Sequence, residues 1–131
     1  MEQKRVLIVD DEIHIVHVVA IKLRNNGYDV VSANNGSEAY DLACEVNPDI
    51  IVTDYQMPVM SGLELVAKLR ENDQTKDIPV IMLTARSFAI SKEQQEQLKI
   101  SDCLSKPFSP RELLINIEDI LYQNELVAET K

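Results

Sequence analysis

Four apolar runs in this 131-residue chain each stop abruptly at a polar group able to do chemistry. Val6-Leu7-Ile8-Val9 ends in Asp10-Asp11, Ile50-Ile51-Val52 ends in Thr53-Asp54, and Val80-Ile81-Met82-Leu83 ends in Thr84. The last, Cys103-Leu104-Ser105, ends in Lys106 followed by Pro107. Continuous Val/Ile/Leu runs are the pattern of strands buried on both faces, the condition of a parallel sheet covered by helices. Parallel neighbours finish at one edge, so this pattern brings three carboxylates, a hydroxyl and an ammonium together. In such sheets ligands bind outside the carboxyl ends of the strands, where the strand order reverses.

The intervening stretches read as helices, with one further strand. Ile13, Val16, Ala20 and Leu23 recur at helical spacing, and Asn26-Gly27 supplies a stop. Tyr28 to Ala33 reads as a strand. Ala39, Leu42, Ala43 and Val46 form the next helical stripe, closed by Asn47-Pro48. Ser61 and Glu64 make a capping-box pair that opens a helix with Leu65, Val66 and Leu69 facing inward. The stretch from Ser87 to Lys99 is almost wholly polar, with Phe88, Ile90 and Leu98 as its large anchors, so it packs lightly and can shift. The last helix is capped by Ser109, starts at Pro110 and carries Glu112 at the box position. Leu113, Leu114, Ile117, Ile120 and Leu121 form its buried stripe. Five strands alternating with five helices give the α/β class: a single domain, 1–131, with its core at about 4–124 and a frayed tail at 125–131.

Composition removes several function classes. The formal charge of −9 argues against unaided binding to nucleic acid or to an anionic membrane. No run approaches the ~20 apolar residues of a membrane helix, and the opening residues do not read as a signal peptide. Cys44 and Cys103 lack CxxC spacing and read as reduced, buried thiols of a cytoplasmic protein. His14 and His17 lie three apart on a helix but have no third ligand at suitable spacing, so packing or solvent-exposed roles are expected.

Clustered carboxylates repel unless a cation sits among them; without it at least one pKa rises. Magnesium, a hard ion with oxygen ligands, suits the set and is held by one or two carboxylates plus phosphate oxygens. That leaves Asp54 free to act as a nucleophile toward phosphorus. The metal, Lys106 and Thr84 are placed to stabilise charge on the equatorial oxygens.

Asp10-Asp11, Asp54, Thr84-Ala85 and Lys106-Pro107-Phe108, together with Asp54-Tyr55-Gln56-Met57-Pro58 and Gly62, resemble the receiver domain of two-component response regulators. The resemblance implies a flavodoxin-like, doubly wound parallel sheet of order 2-1-3-4-5. It also implies a stand-alone, chemotaxis-regulator-like module that catalyses only its own phosphorylation and dephosphorylation. Asp54 would accept a phosphoryl group from a histidine kinase or histidine phosphotransfer protein, and the phosphorylated form would control a downstream protein. Asp11 would ligate magnesium directly, Asp10 mainly through water, and the Gln56 backbone carbonyl would be a further ligand beside Asp54. Lys106 would pair with the phosphoryl group, ahead of a cis bond to Pro107. Thr84 would swing toward a phosphoryl oxygen and the Ala85 amide would donate to it. Gln56 and Arg86 would tune dephosphorylation.

Two positions depart from that pattern. Cys103 stands where the family usually has a switching aromatic, and Lys99-Ile100 replaces a common Gly-Ala pair. The expectation is therefore signalling through movement of the Ser87–Lys99 segment itself. Among competing readings, a phosphohydrolase resembling the haloacid dehalogenases would need an acid where Gln56 stands. A flavin module of the same topology would be repelled by Asp10-Asp11-Glu12. A degenerate receiver used only for docking has Cys103, in place of the switching aromatic, as its main support, against five intact key positions.

Overall fold

A computed structural model describes residues 3–85 and 90–129. Five strands alternate with five helices: β1 Arg5–Val9, α1 Ile13–Asn25, β2 Asp29–Ala33, α2 Gly36–Val46, β3 Ile50–Asp54, α3 Gly62–Glu71, β4 Val80–Thr84, α4 Lys92–Gln97, β5 Asp102–Ser105 and α5 Pro110–Glu129. All strand pairs are parallel and the sheet order is β2-β1-β3-β4-β5. The doubly wound, flavodoxin-like topology expected from the chain is the one observed. Strand order reverses between β1 and β3, which places the switch point between Val9 and Asp54.

Alternate residues of each strand feed two separate cores. Val6 and Ile8 point with Val52 and Leu83 toward Val19, Leu23, Leu113 and Ile117 of α1 and α5. Leu7 and Val9 point with Ile51 and Met82 toward Ala39, Ala43, Leu65 and Leu69 of α2 and α3. Burial on both faces is why the central strands β3 and β4 are buried at every position. Burying a Leu or Ile side chain contributes about 1.5–3 kcal/mol, so this double core anchors the strand ends rigidly enough to fix a site.

Helix boundaries follow local chemistry. The Ser61–Glu64 capping box is formed in both directions, with Glu64 N–H to Ser61 Oγ at 3.2 Å and Ser61 N–H to Glu64 Oε1 at 3.1 Å. A second box, Ser91 with Gln94, opens α4. Ser109 Oγ accepts from the Glu112 amide at 3.0 Å at the start of α5. Helix α2 ends on Asn47 in the left-handed region, φ +50.

Several expectations need correction. Ile13 is 71% exposed; the buried stripe of α1 starts with half-buried Val16 and continues through Val19, Ala20 and Leu23, because Ile13 sits before the helix turns onto the sheet. Cys44 and Cys103 are free thiols but half-buried: Cys103 packs at the margin of the α2–α3 core, and Cys44 Sγ lies 3.5 Å from the Asn72 side-chain amide. Helix α5 continues past Asn124 to Glu129, so the stretch from 125 to 129 is helical and not a frayed tail. Helix α4 is only six residues long and buries none of them, in keeping with its polar composition. Phe88 and Arg86 lie outside the described residues.

Arg70, at the end of α3, holds the far end of α4. Its guanidinium donates to the carbonyls of Leu98 (2.8 Å) and Lys99 (3.1 Å), and also to those of Lys76 (2.9 Å) and Ile78 (2.8 Å). Lys99 adopts φ +54, a conformation glycine takes without steric cost, so the Arg70 bond secures a backbone shape the Lys99 side chain disfavours.

Candidate functional site: an acidic hollow with a lysine

Each site residue is placed by the end of a strand. Asp10 directly follows β1, and its amide donates to the Ala33 carbonyl at 3.2 Å, which extends the β1–β2 ladder past its last residue. Asp54 ends β3 level with Leu83 of β4, while Thr84 pairs with Ser105 of β5. The amide of Lys106 donates to the Thr84 carbonyl at 2.7 Å, so the chain is held to β4 as it leaves β5. The Lys106–Pro107 peptide bond is cis. The loop after β3 is fixed by Tyr55 N–H to Leu83 O and Gly62 N–H to Tyr55 O, at 2.8 and 2.9 Å.

The side chains converge. Carboxylate oxygens of Asp10, Asp11 and Asp54 lie within 4.8 Å of one another. Lys106 Nζ lies 3.1 Å from Asp10, 3.1 Å from Glu12 and 3.3 Å from Asp54. Asp10 is fully buried and its other oxygen accepts the Glu12 amide at 2.9 Å. Thr84 is buried and Ala85 exposed at the same sheet edge. Gln56 lines a shallow hollow together with Asp11, Tyr55 and Ser61. Among the expected site residues, close contacts join Asp10, Asp11, Asp54 and Lys106, while Thr84, Ala85 and Gln56 share their edge of the sheet.

Among the described residues, the acids of the hollow share one ammonium, that of Lys106. Burial, then the neighbouring Asp10 charge, push the Asp54 carboxyl up from 3.8 to about 6, and Lys106 opposes the rise without cancelling it. Burial also raises Asp10, despite its hydrogen bonds from Glu12 N–H and Lys106. Lys106 goes up too, because the bonds and charge of Asp10, then Asp54 and Glu12, outweigh its own loss of hydration. One ammonium shared among these acids leaves a hard divalent cation well matched to the donor set of Asp10, Asp11 and Asp54.

A parallel sheet of order β2-β1-β3-β4-β5 with an acidic hollow at its switch point, closed by a lysine from the next-but-one strand, is the architecture of a receiver module. The chain belongs to the response regulator receiver domain family, which matches residues 6–118. Among curated proteins it is 39% identical over 121 residues to the phosphate regulon transcriptional regulatory protein PhoB of Pseudomonas aeruginosa, covering 92% of this chain and 53% of that protein. It is 38% identical over 125 residues to the alkaline phosphatase synthesis transcriptional regulatory protein PhoP of Bacillus subtilis, covering 95% and 51%. The chain thus spans about half the length of the curated relatives it matches. Among solved structures, the chemotaxis response regulator CheY4 of Vibrio cholerae superposes with a TM-score of 0.84 at 35% identity, covering 91% of this chain and 99% of that one. The receiver domain of the Francisella response regulator 1452 gives 0.82 at 36%, covering 94% and 99%.

Two residues escaped the sequence reading. Glu12 was visible only as part of an acidic run, and its bond to Lys106 joins positions 94 apart. Arg70 carried no signal at all, because a basic residue in the last turn of a helix usually serves the helix itself. No described helix is long and apolar enough to cross a membrane.

Proposed function

We propose that this receiver domain takes a phosphoryl group onto Asp54 in a magnesium-dependent reaction and thereby changes a surface read by a partner protein. The single observation that supports this most is the Asp54 carboxylate held within 4.8 Å of two further acids and 3.3 Å from the Lys106 ammonium. An oxygen of Asp54 attacks phosphorus as the bond to the donor nitrogen breaks. The nitrogen keeps the electron pair, and a mixed carboxylic–phosphoric anhydride forms. With its pKa near 6, Asp54 is mostly ionised at neutral pH and so nucleophilic.

Asp10, Asp11, Asp54 and the Gln56 carbonyl would hold magnesium, which when bound neutralises the acids and withdraws charge from phosphoryl oxygens. Lys106 pairs with the phosphoryl group, the Thr84 hydroxyl reaches toward one of its oxygens, and the Ala85 amide donates to it. The phosphodonor is a histidine kinase or a histidine phosphotransfer protein, and the setting is cytoplasmic. Because half-buried Cys103 occupies the place of a switching aromatic, the response runs through the lightly packed region around α4, hinged where Arg70 holds Leu98 and Lys99. The two curated relatives are transcriptional regulators by name; in this reading the altered receiver surface is what a partner protein recognises.

The test is intact-mass measurement after incubation with a small-molecule phosphodonor, with and without magnesium. A base-labile phosphoryl adduct that needs magnesium and disappears in Asp54→Asn is expected. An Asp54→Asn protein that still gains the adduct overturns the assignment.

A further inference from the structure

Glu12 occupies the N-cap position of α1, where a side chain ordinarily accepts a hydrogen bond from the first turn of its own helix. It makes no such bond. The capping-type contact comes instead from Asp10, whose carboxylate accepts the Glu12 amide at 2.9 Å. The Glu12 carboxylate crosses to Lys106 Nζ at 3.1 Å. The contact ties the start of α1 to the end of β5 and owes nothing to helix capping.

An ammonium has three N–H donors, and in this structure three acids surround it: Asp10, Glu12 and Asp54. A phosphoryl group on Asp54 adds acceptor oxygens, and Lys106 can donate to them only if one of its present partners gives way. Asp10 is the wrong one to lose, since its side chain is 0% exposed and without the ammonium its buried charge would rest on the Glu12 amide alone among its described protein partners. Asp54 carries the phosphoryl group itself. Glu12, 60% exposed, can exchange the ammonium for water at little cost.

Building on the phosphoacceptor reading above, we propose that Glu12 is a positioning residue that holds Lys106 in its resting place and yields it to the phosphoryl group, so that its carboxylate sets how tightly a phosphoryl group is retained on Asp54. Glu12 touches neither phosphorus nor the attacking oxygen; it competes for the lysine that does. Removing its charge while keeping its shape removes the competitor.

The experiment is titration of the full chain with beryllofluoride, a phosphoryl mimic, at saturating magnesium. Four proteins are compared: wild type, Glu12→Gln, Lys106→Met and the double variant, with a weak background read at millimolar beryllofluoride. Glu12→Gln is expected to bind roughly two- to fivefold more tightly than wild type, the range an exposed ion pair supplies. In the Lys106→Met background the same change is expected to do nothing, because the competition has no object. Unchanged or weaker binding by Glu12→Gln overturns the proposal. So does an equal gain in both backgrounds, which would mark Glu12 as a source of diffuse charge alone. Asp54→Asn separates this from the parent reading: a wild type that binds no better than Asp54→Asn brings down both, whereas a wild-type-specific signal with no Glu12 effect brings down only the competition.

Discussion

Replacing Asp54 by asparagine should make this protein more stable, although Asp54 is the residue on which its chemistry is proposed to turn. The side chain is only 10% exposed, and burial together with Asp10 raises its pKa from 3.8 to about 6. A carboxyl with a raised native pKa holds its proton more tightly folded than unfolded. The stability this proton contributes is fully present below about pH 4 and is lost as pH rises through about 6. Above that range the ionised group costs the fold about 3 kcal/mol, taking 1.36 kcal/mol for each tenfold change in the proton equilibrium. The opposing pull of Lys106 is already contained in that value. Partial hydration at the sheet edge lowers the expected gain for Asp54→Asn to about 1–3 kcal/mol near neutral pH. Urea unfolding in the presence of EDTA measures it as a higher midpoint at unchanged slope. The pH dependence is the sharper half of the test, since at about pH 4 wild-type Asp54 is itself neutral and the advantage of asparagine should nearly vanish. Magnesium should raise the midpoint of wild type far more than that of Asp54→Asn. No gain near neutral pH, or the same gain at both pH values, would refute the account of the acidic crowd.

Arg70→Met keeps most of the side-chain volume but removes the donors to Leu98 and Lys99. A loss of about 2–4 kcal/mol is expected, with amide exchange accelerated first in residues 92–100; uniform acceleration across the sheet would contradict a local clasp. Gly62→Ala places a methyl group against the Asp54 carbonyl and, at 2.7 Å, the Met82 sulfur. It should lose at least about 2 kcal/mol in thermal unfolding by overpacking, and a wild-type midpoint would show that the loop after β3 has slack.

Much of the fold was legible before any coordinates. Runs such as Val6–Val9 and Val80–Leu83 are too apolar for one-sided strands, and Ser61 with Glu64 or Ser109 with Pro110 mark helix starts by local hydrogen bonding alone. Locally encoded features were read correctly because their causes lie within a few residues. The exposure of Ile13, the half-burial of the two thiols and the length of α5 are not legible in the same way, because each depends on packing between elements distant in the chain.

The chemistry of the hollow divides along the same line. Sequence by itself determined which groups stand at strand ends, and parallel pairing obliges those ends to share an edge, so Asp10, Asp54, Thr84 and Lys106 could be brought together on paper. Only the tertiary structure decided how one ammonium is shared among Asp10, Glu12 and Asp54, and that Arg70 grips the backbone beyond α4. Both are contacts between distant segments made at distances near 3 Å, where direction and burial set the energy. No spacing rule along the chain carries that information.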